Sequence, residues 1–448
     1  MADICTESRV ARLTTTSQQS RIASAFRALR HRNFQLFFGG QLISLIGTWM
    51  QNVAQSWLVY KMTGSSLLLG AVGFSSQIPI FLLSPVGGAV VDRRHRHGII
   101  VATQTASMIL AFILAAITLL GVVKVWHIFV LSALLGFVNA FDIPARQAFI
   151  VEMVGKENLM NAIALNSSMF NGARIIGPAV AGMLVASIGE GWCFFANAVS
   201  YVAVLIGLFM MKVPQWVPQP RETSALSDIK EGFTWVANTM PISALLLLVG
   251  LVSLVGMPYA VLMPVFADQI LHSGARGLGI LMGFSGAGAL IGALILAAKS
   301  SLRGLGTWVA ACSASFGLFL ILFGYSRIFW LSAVLLIPVG LFMMVQMAAT
   351  NTLIQSMVPD RLRGRLMSLY SMMMIGMAPV GALLAGALSE RLGAPLTVAL
   401  GGMCSILGAM WFGTRLPAIR GEARRLIIAQ NYAGGDPPQE VTAVREPS

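Results

Sequence analysis

Charge is what this sequence has least of. Only 10% of its 448 residues are Asp, Glu, Lys or Arg, against 56% hydrophobic, and the mean hydropathy is +0.78. A soluble domain needs roughly a quarter of its residues charged to cover its surface, so a water-soluble globular protein is excluded. Cysteine is also sparse. Cys5, Cys193, Cys312 and Cys404 stand apart with no CxxC or Cys/His spacing, and three lie in apolar stretches, so core residues are expected rather than a metal site. No Gly-x-x-x-x-Gly-Lys-[Ser/Thr] loop and no His-rich cluster occur, which argues against an ATP-driven pump and a membrane enzyme alike; no cofactor and no metal are expected. Short alternating strands are missing, and with them the outer-membrane barrel. Residues 1–33 are polar and basic without the apolar core of a cleaved signal, so the first apolar helix is expected to act as the insertion signal.

What remains is a succession of apolar stretches of roughly 20 residues, each enough to cross about 30 Å of hydrocarbon as a helix. They fall near residues 34–60, 67–91, 99–122, 126–150, 159–187 and 192–211, then 243–266, 278–298, 308–325, 328–354, 366–389 and 395–413. The longest polar break holds Pro214, Pro218, Pro220, Arg221, Glu222, Asp228, Lys230 and Glu231, the composition of a linker. The expected fold is an all-α membrane protein of twelve transmembrane helices in two six-helix bundles. A cytoplasmic tail (1–33) precedes the N-terminal bundle (34–212); a cytoplasmic linker (213–241) leads to the C-terminal bundle (242–415) and a disordered cytoplasmic tail (416–448).

The net charge of +13 first suggests nucleic acid, but its distribution does not. Of 30 Lys and Arg, 24 fall in the tails and alternate breaks and five (Lys61, Lys124, Arg276, Arg327, Arg391) in the others, leaving Arg174 inside an apolar stretch. This asymmetry is the positive-inside bias of a multi-pass protein with both termini cytoplasmic.

The two halves repeat. At an offset of 204 residues, Gly136, Gly172, Gly177, Gly182 and Gly189 fall on Gly340, Gly376, Gly381, Gly386 and Gly393. Matching small residues at helix-packing spacings implies matching close approaches of helix backbones. Two parallel repeats joined by a linker is a known secondary-transporter plan.

Three sets of polar residues interrupt the apolar background. In the fourth stretch Asn139, Asp142 and Arg146 share one face. The fifth carries Asn166, Asn171 and Arg174 before the run Gly177-Pro178-x-x-x-Gly182. Asp142 and Arg174 each cost on the order of 2.5–3.5 kcal/mol in hydrocarbon, so functionless, unpaired placement is disfavoured. Asp142 is expected to exchange a proton, tuned by Arg174 or Arg146; a static ion pair that orients helices is an equal alternative. In the first stretch Gln41, Ser44, Thr48, Gln51 and Gln55 form one polar stripe, flanked by Trp49 and Trp57, while Gln346, Asn351 and Gln355 supply amides from the tenth. In lipid such a stripe must face protein or a water-filled cavity. A midplane cavity for an amphipathic ligand, with 25 methionines offering adaptable apolar surface, is one reading. Amide bonding between helices is the other.

The junction of the second and third stretches reads Gly88-Ala-Val-Val-Asp92-Arg93-Arg94-His95-Arg96. It resembles the Gly-x-x-x-Asp-Arg loop signature of the major facilitator superfamily, with His95 where that family has glycine. Gly177-Pro178-x-x-x-Gly182 is similar to the family's antiporter signature without its closing glycine pair. Leu29-Arg-His-Arg-Asn-Phe34, Asp142-x-Pro-x-Arg146 and Arg361-Leu-Arg363-Gly-Arg365 resemble the branch containing siderophore (enterobactin-type) and macrolide or multidrug exporters. The resemblance implies a gating latch at Gly88, Asp92, Arg93, Arg96, Arg361, Arg363 and Arg365, and a bendable fifth helix at Gly177, Pro178 and Gly182. It implies proton-coupled efflux of amphipathic small molecules across the bacterial inner membrane by a monomer, with lipid and substrate as partners and no nucleic acid. An uptake permease of the same fold, or a non-transporting membrane sensor or scaffold, is the alternative.

Overall fold

The computed structural model describes residues 27–212, 234–299 and 302–433, leaving aside the side chains at positions 92, 156, 360, 361, 364 and 429–433. Asp92, Arg361, the tail before residue 27 and linker residues 213–233 therefore lie outside what is described. Among the described residues twelve long helices follow one another: α1 (Arg32–Thr63), α2 (Ser66–Arg93), α3 (Arg96–Leu119), α4 (Val125–Gly155), α5 (Glu157–Ile188) and α6 (Glu190–Phe209). The second half comprises α7 (Met240–Ile270), α8 (Gly274–Ala297), α9 (Leu305–Tyr325), α10 (Phe329–Met357), α11 (Asp360–Leu392) and α12 (Ala394–Ala433). Eleven are long and apolar enough to cross a membrane; α1 has the length, but its polar stripe lowers its hydropathy. The chain is a multi-pass, all-α membrane protein, and no strand occurs among the described residues.

One expectation is corrected. Residues 416–433, expected to be disordered, continue α12 as helix. The physical reason is packing: Leu416 and Ile419 are buried, and Leu426 and Ile427 pack on the core of the C-terminal half. This alternating apolar face gives a charged helix a surface to fold against.

α7 is less regular than its counterpart α1. Pro258 and Pro264 each lack an amide donor, and around them the helix passes through wide turns at Val252–Gly256 and Phe266–Ile270 and a tight one at Met257–Ala260.

The repeated glycines occupy equivalent places. Gly189 and Gly393 take φ of 91° and 82°, the backbone that lets α5 turn into α6, and α11 into α12, through a single residue. Gly136 packs on the Ser76 carbonyl of α2, and Gly340 on the Ser285 carbonyl of α8. Gly182 packs on Gly279 of α8, whereas Gly386 packs on Ser66 and Gly70 of α2. These last two crossings, α5 on α8 and α2 on α11, join the bundles. At the same end Glu390 of α11 accepts hydrogen bonds from the Ser65 hydroxyl (3.1 Å) and the Leu67 amide (3.1 Å) at the start of α2. Ser389 donates to Ser66 beside them (3.1 Å). The start of α1 and the end of α6 lie together at the opposite end, where Asn33 donates to the Lys212 carbonyl (2.9 Å).

Candidate functional site: a buried charge cluster and an interfacial arginine

Asp142 sits in α4 with its side chain only 2% exposed. Its partner is Arg146, one turn along the same helix, with Nε 2.6 Å from Oδ2. α3 supplies two more donors to Oδ1: the Thr103 hydroxyl at 2.7 Å and the Gln104 amide at 2.9 Å. The Arg146 guanidinium also donates to Gln41 of α1 at 2.9 Å. Two helices thus converge on one carboxylate and a third, α1, on its arginine partner, and the carboxylate's charge is matched by one cation and two hydrogen bonds. Such pairing is what a charge taken out of water requires. Thr103 and Gln104 were not singled out in the sequence; the available signal was two adjacent polar residues inside an apolar helix.

Arg174 does not join this cluster. Among the described residues no carboxylate pairs with it; its guanidinium carbon lies 5.8 Å from the ring centre of Trp49. Gln41 and Trp49 are eight residues apart, about 12 Å along α1, so the two sites occupy different depths.

The polar stripe of α1 is largely spent inside its own bundle. Gln41 and Gln51 are buried, at 2% and 5% exposure, so neither lines an open cavity as expected. Gln51 accepts from Asn197 of α6 (2.7 Å), Gln55 donates to Ser132 of α4 (2.9 Å), and Thr48 bonds back to the Ser44 carbonyl (2.9 Å). Buried amides in hydrocarbon find partners on the nearest helix, which is why a stripe read as cavity lining becomes interhelical bonding. Asn171 is buried and donates to Ser167 (2.8 Å), and Gln346, the repeat counterpart of Asp142, is fully buried. Asn166 and Asn351 remain partly exposed, and Asn52, which shares the Trp49 face of α1 and was passed over in the sequence, is exposed.

Nothing lies close to Gly88; the glycine against another helix is Gly87, on the Ala140 carbonyl of α4. One residue turns a helix by about 100°, enough to exchange a packing face for an open one. Arg96 pairs with Glu152 of α4 at 2.7 Å while Arg93 is exposed. Arg363 and Arg365 stand in the first two turns of α11. The Gly177-Pro178 run lies in a continuous α5: Gly177 packs on Trp49 and Ile46 of α1, and the Pro178 carbonyl and Gly182 pack on Gly279 of α8.

Two repeated six-helix bundles, meeting through α2–α11 and α5–α8 and carrying a buried charge pair in one bundle, define a secondary transporter of the major facilitator type. The profile of transmembrane secretion effectors matches residues 23–440, and the chain belongs to that family of the superfamily. It is 26% identical over 379 residues to the staphyloferrin A transporter of Staphylococcus aureus, spanning 84% of this chain and 94% of the relative. It is 27% identical over 395 residues to the enterobactin exporter EntS of Shigella boydii, spanning 88% and 93%. Among solved structures it resembles the nucleoside transporter NupG (TM-score 0.65, 16% identity, 86% of this chain and 98% of that one). A bacterial homologue of the lysosomal transporter Spinster gives TM-score 0.59 at 14% identity, over 89% and 98%. The chain is a transporter, not an enzyme.

Proposed function

We propose that this protein exports amphipathic, siderophore- or drug-like small molecules across a bacterial inner membrane, in exchange for protons and by alternating access. It works as a monomer without a cofactor, driven by the proton gradient, with both termini in the cytoplasm. The lysine and arginine asymmetry supports that orientation. The secretion-effector family and the exporter among its relatives support the outward direction.

The observation that carries the coupling is the Asp142–Arg146 pair. A carboxylate this deep can take a proton only by giving up its ion pair, so protonation and helix arrangement are linked. Gln41 Nε2 and Gln104 Oε1 are buried without partners among the described residues, leaving a donor and an acceptor in the same cluster that can bond a neutral Asp142. Gating then consists of the bundles rocking about the α5–α8 and α2–α11 crossings.

The test is proton movement in energised everted vesicles, on adding cationic dyes, macrolides and a catecholate siderophore. Substrate-evoked proton efflux in the wild type that Asp142→Asn abolishes is the expected result. Full coupling in the mutant would reduce Asp142 to a structural ion pair. Movement of substrate and protons in the same direction would make the chain an uptake permease.

A further inference from the structure

α9 and α12 lie side by side, with Gly317 against the Gly402 carbonyl, and neither takes part in the crossings that join the bundles. Met403, Leu407, Met410 and Trp411 are exposed on α12, apolar surface that in a membrane meets acyl chains. Arg415 follows Trp411 by one turn, its guanidinium carbon 5.4 Å from the centre of that ring. Just beyond α8, Lys299 stands the same way over Trp308 of α9, at 4.8 Å. An indole beside a long cation fits the edge of the hydrocarbon, where the ring sits at headgroup depth and the charge snorkels outward.

Beyond this edge α12 continues with its charges on one side. Leu416 and Ile419 are buried, while Arg420, Arg424 and Arg425 are exposed. Arg420 donates to the Thr307 hydroxyl in the first turn of α9, at 2.6 Å. Gly306, the neighbour of Thr307, packs on the Leu416 side chain, so the Arg420 guanidinium is brought back along α12 to the depth of Arg415. Lys299, Arg415 and Arg420 thus gather round the start of α9, and among the described residues no carboxylate pairs with any of them. α12 has four arginines and a single acidic residue, Glu422. Cations held together at headgroup depth, with nothing nearby to neutralise them, fit a surface of opposite sign, and lipid phosphate is the anion abundant at that depth.

We infer that Lys299, Arg415 and Arg420, with Trp308 and Trp411 beside them, seat the phosphodiester of an anionic phospholipid. The three cations face the phosphate oxygens. The Thr307 hydroxyl, which accepts from Arg420, keeps its own proton to donate to them. The acyl chains lie along Met403, Leu407 and Met410 on the exposed face of α12. Assignment to the cytoplasmic leaflet rests on the orientation proposed above; the site and its test do not.

Native mass spectrometry of the full chain, released from micelles holding equal phosphatidylglycerol and phosphatidylcholine, counts the lipids that stay bound. The wild type is expected to retain phosphatidylglycerol in preference by about tenfold or more, since each cation near an anionic surface contributes about fivefold. Arg415→Gln with Arg420→Gln is expected to bring the two lipids to within a few-fold of parity, and Arg415→Lys with Arg420→Lys to keep most of the preference. Lys299→Gln alone, expected to cost about fivefold, keeps the test open if the double variant does not fold. Arg30→Gln with Arg32→Gln removes two exposed cations from the other bundle and is expected to leave the preference unchanged. Equal retention of both lipids by the wild type, or the same loss from the Arg30 and Arg32 variant, overturns the inference. Displacement of phosphatidylglycerol by an equimolar poly-glutamate peptide would assign the face to an acidic protein and overturn it as well.

Discussion

At Asp142 one carboxylate draws a guanidinium from its own helix and a hydroxyl and an amide from α3, while that guanidinium reaches across to α1. Removing one member of a fully buried pair costs about 3–5 kcal/mol because the other charge is left alone. The Arg146 side chain is 25% exposed, so the loss here is smaller. Arg146→Met is expected to lower resistance to SDS unfolding by about 2–3 kcal/mol, and adding Asp142→Asn to recover part of it. Strict additivity of the two changes would show that the pair is not coupled. Thr103→Val removes one charge-assisted hydrogen bond without changing shape and should cost about 1.5–3 kcal/mol in the same assay. The spacing of Asp142 and Arg146 was legible as one helix face. That Arg146 rather than Arg174 is the partner was not, because periodicity gives the direction a residue faces and not which helix stands there.

Among the helices, small residues decide where backbones meet. A side chain added at Gly182 would lie 3.0 Å from the Gly279 backbone, and one at Gly386 would lie 2.6 Å from the Ser66 carbonyl. Gly182→Val and Gly386→Val are each expected to pry open a bundle crossing, slowing transport far more than they reduce folded protein recovered from membranes. Gly172, with nothing within 4 Å, provides the contrast: Gly172→Ala should leave transport unchanged. If Gly172→Ala and Gly182→Val impair transport alike, packing at the crossing is not what limits the motion. The repeat in the sequence located these glycines but not their partners. The same small residue contacts the opposite bundle at 182 and 386, yet its own bundle at 136 and 340. Adjacent glycines show the limit in miniature: Gly87 packs on the Ala140 carbonyl of α4, while Gly88 has nothing within 4 Å.

Across the whole molecule, the two bundles are held by α5–α8 and α2–α11 and by the Glu390 carboxylate, which accepts from the Leu67 amide and the Ser65 hydroxyl at the start of α2 in the other bundle. A carboxylate at a helix N-terminus is favoured by the amide donors and the helix dipole together. Any state open at this end must break that cap. Glu390→Gln is expected to raise the open population a few-fold, read as a longer-distance component between spin labels on Leu67→Cys and Leu392→Cys. An unchanged distance distribution would show that the cap does not contribute to closure.

What the sequence determined by itself was whatever depends on one helix at a time or on its repetition. Apolar length marked the spans, basic residues set the expected orientation, and a 204-residue repeat of glycines divided the chain into two bundles. These are properties of each helix in lipid, where every backbone group must be satisfied within the helix itself. Only the tertiary structure decided which polar groups are spent on one another and which are left over. The α1 amides were absorbed by α4 and α6, Asp142 was claimed by Arg146, and Arg174 was left at the bundle interface with an aromatic neighbour. The reason is that a buried polar group takes the nearest partner in space, and nearness between helices is set by packing register, which hydrophobic periodicity does not encode.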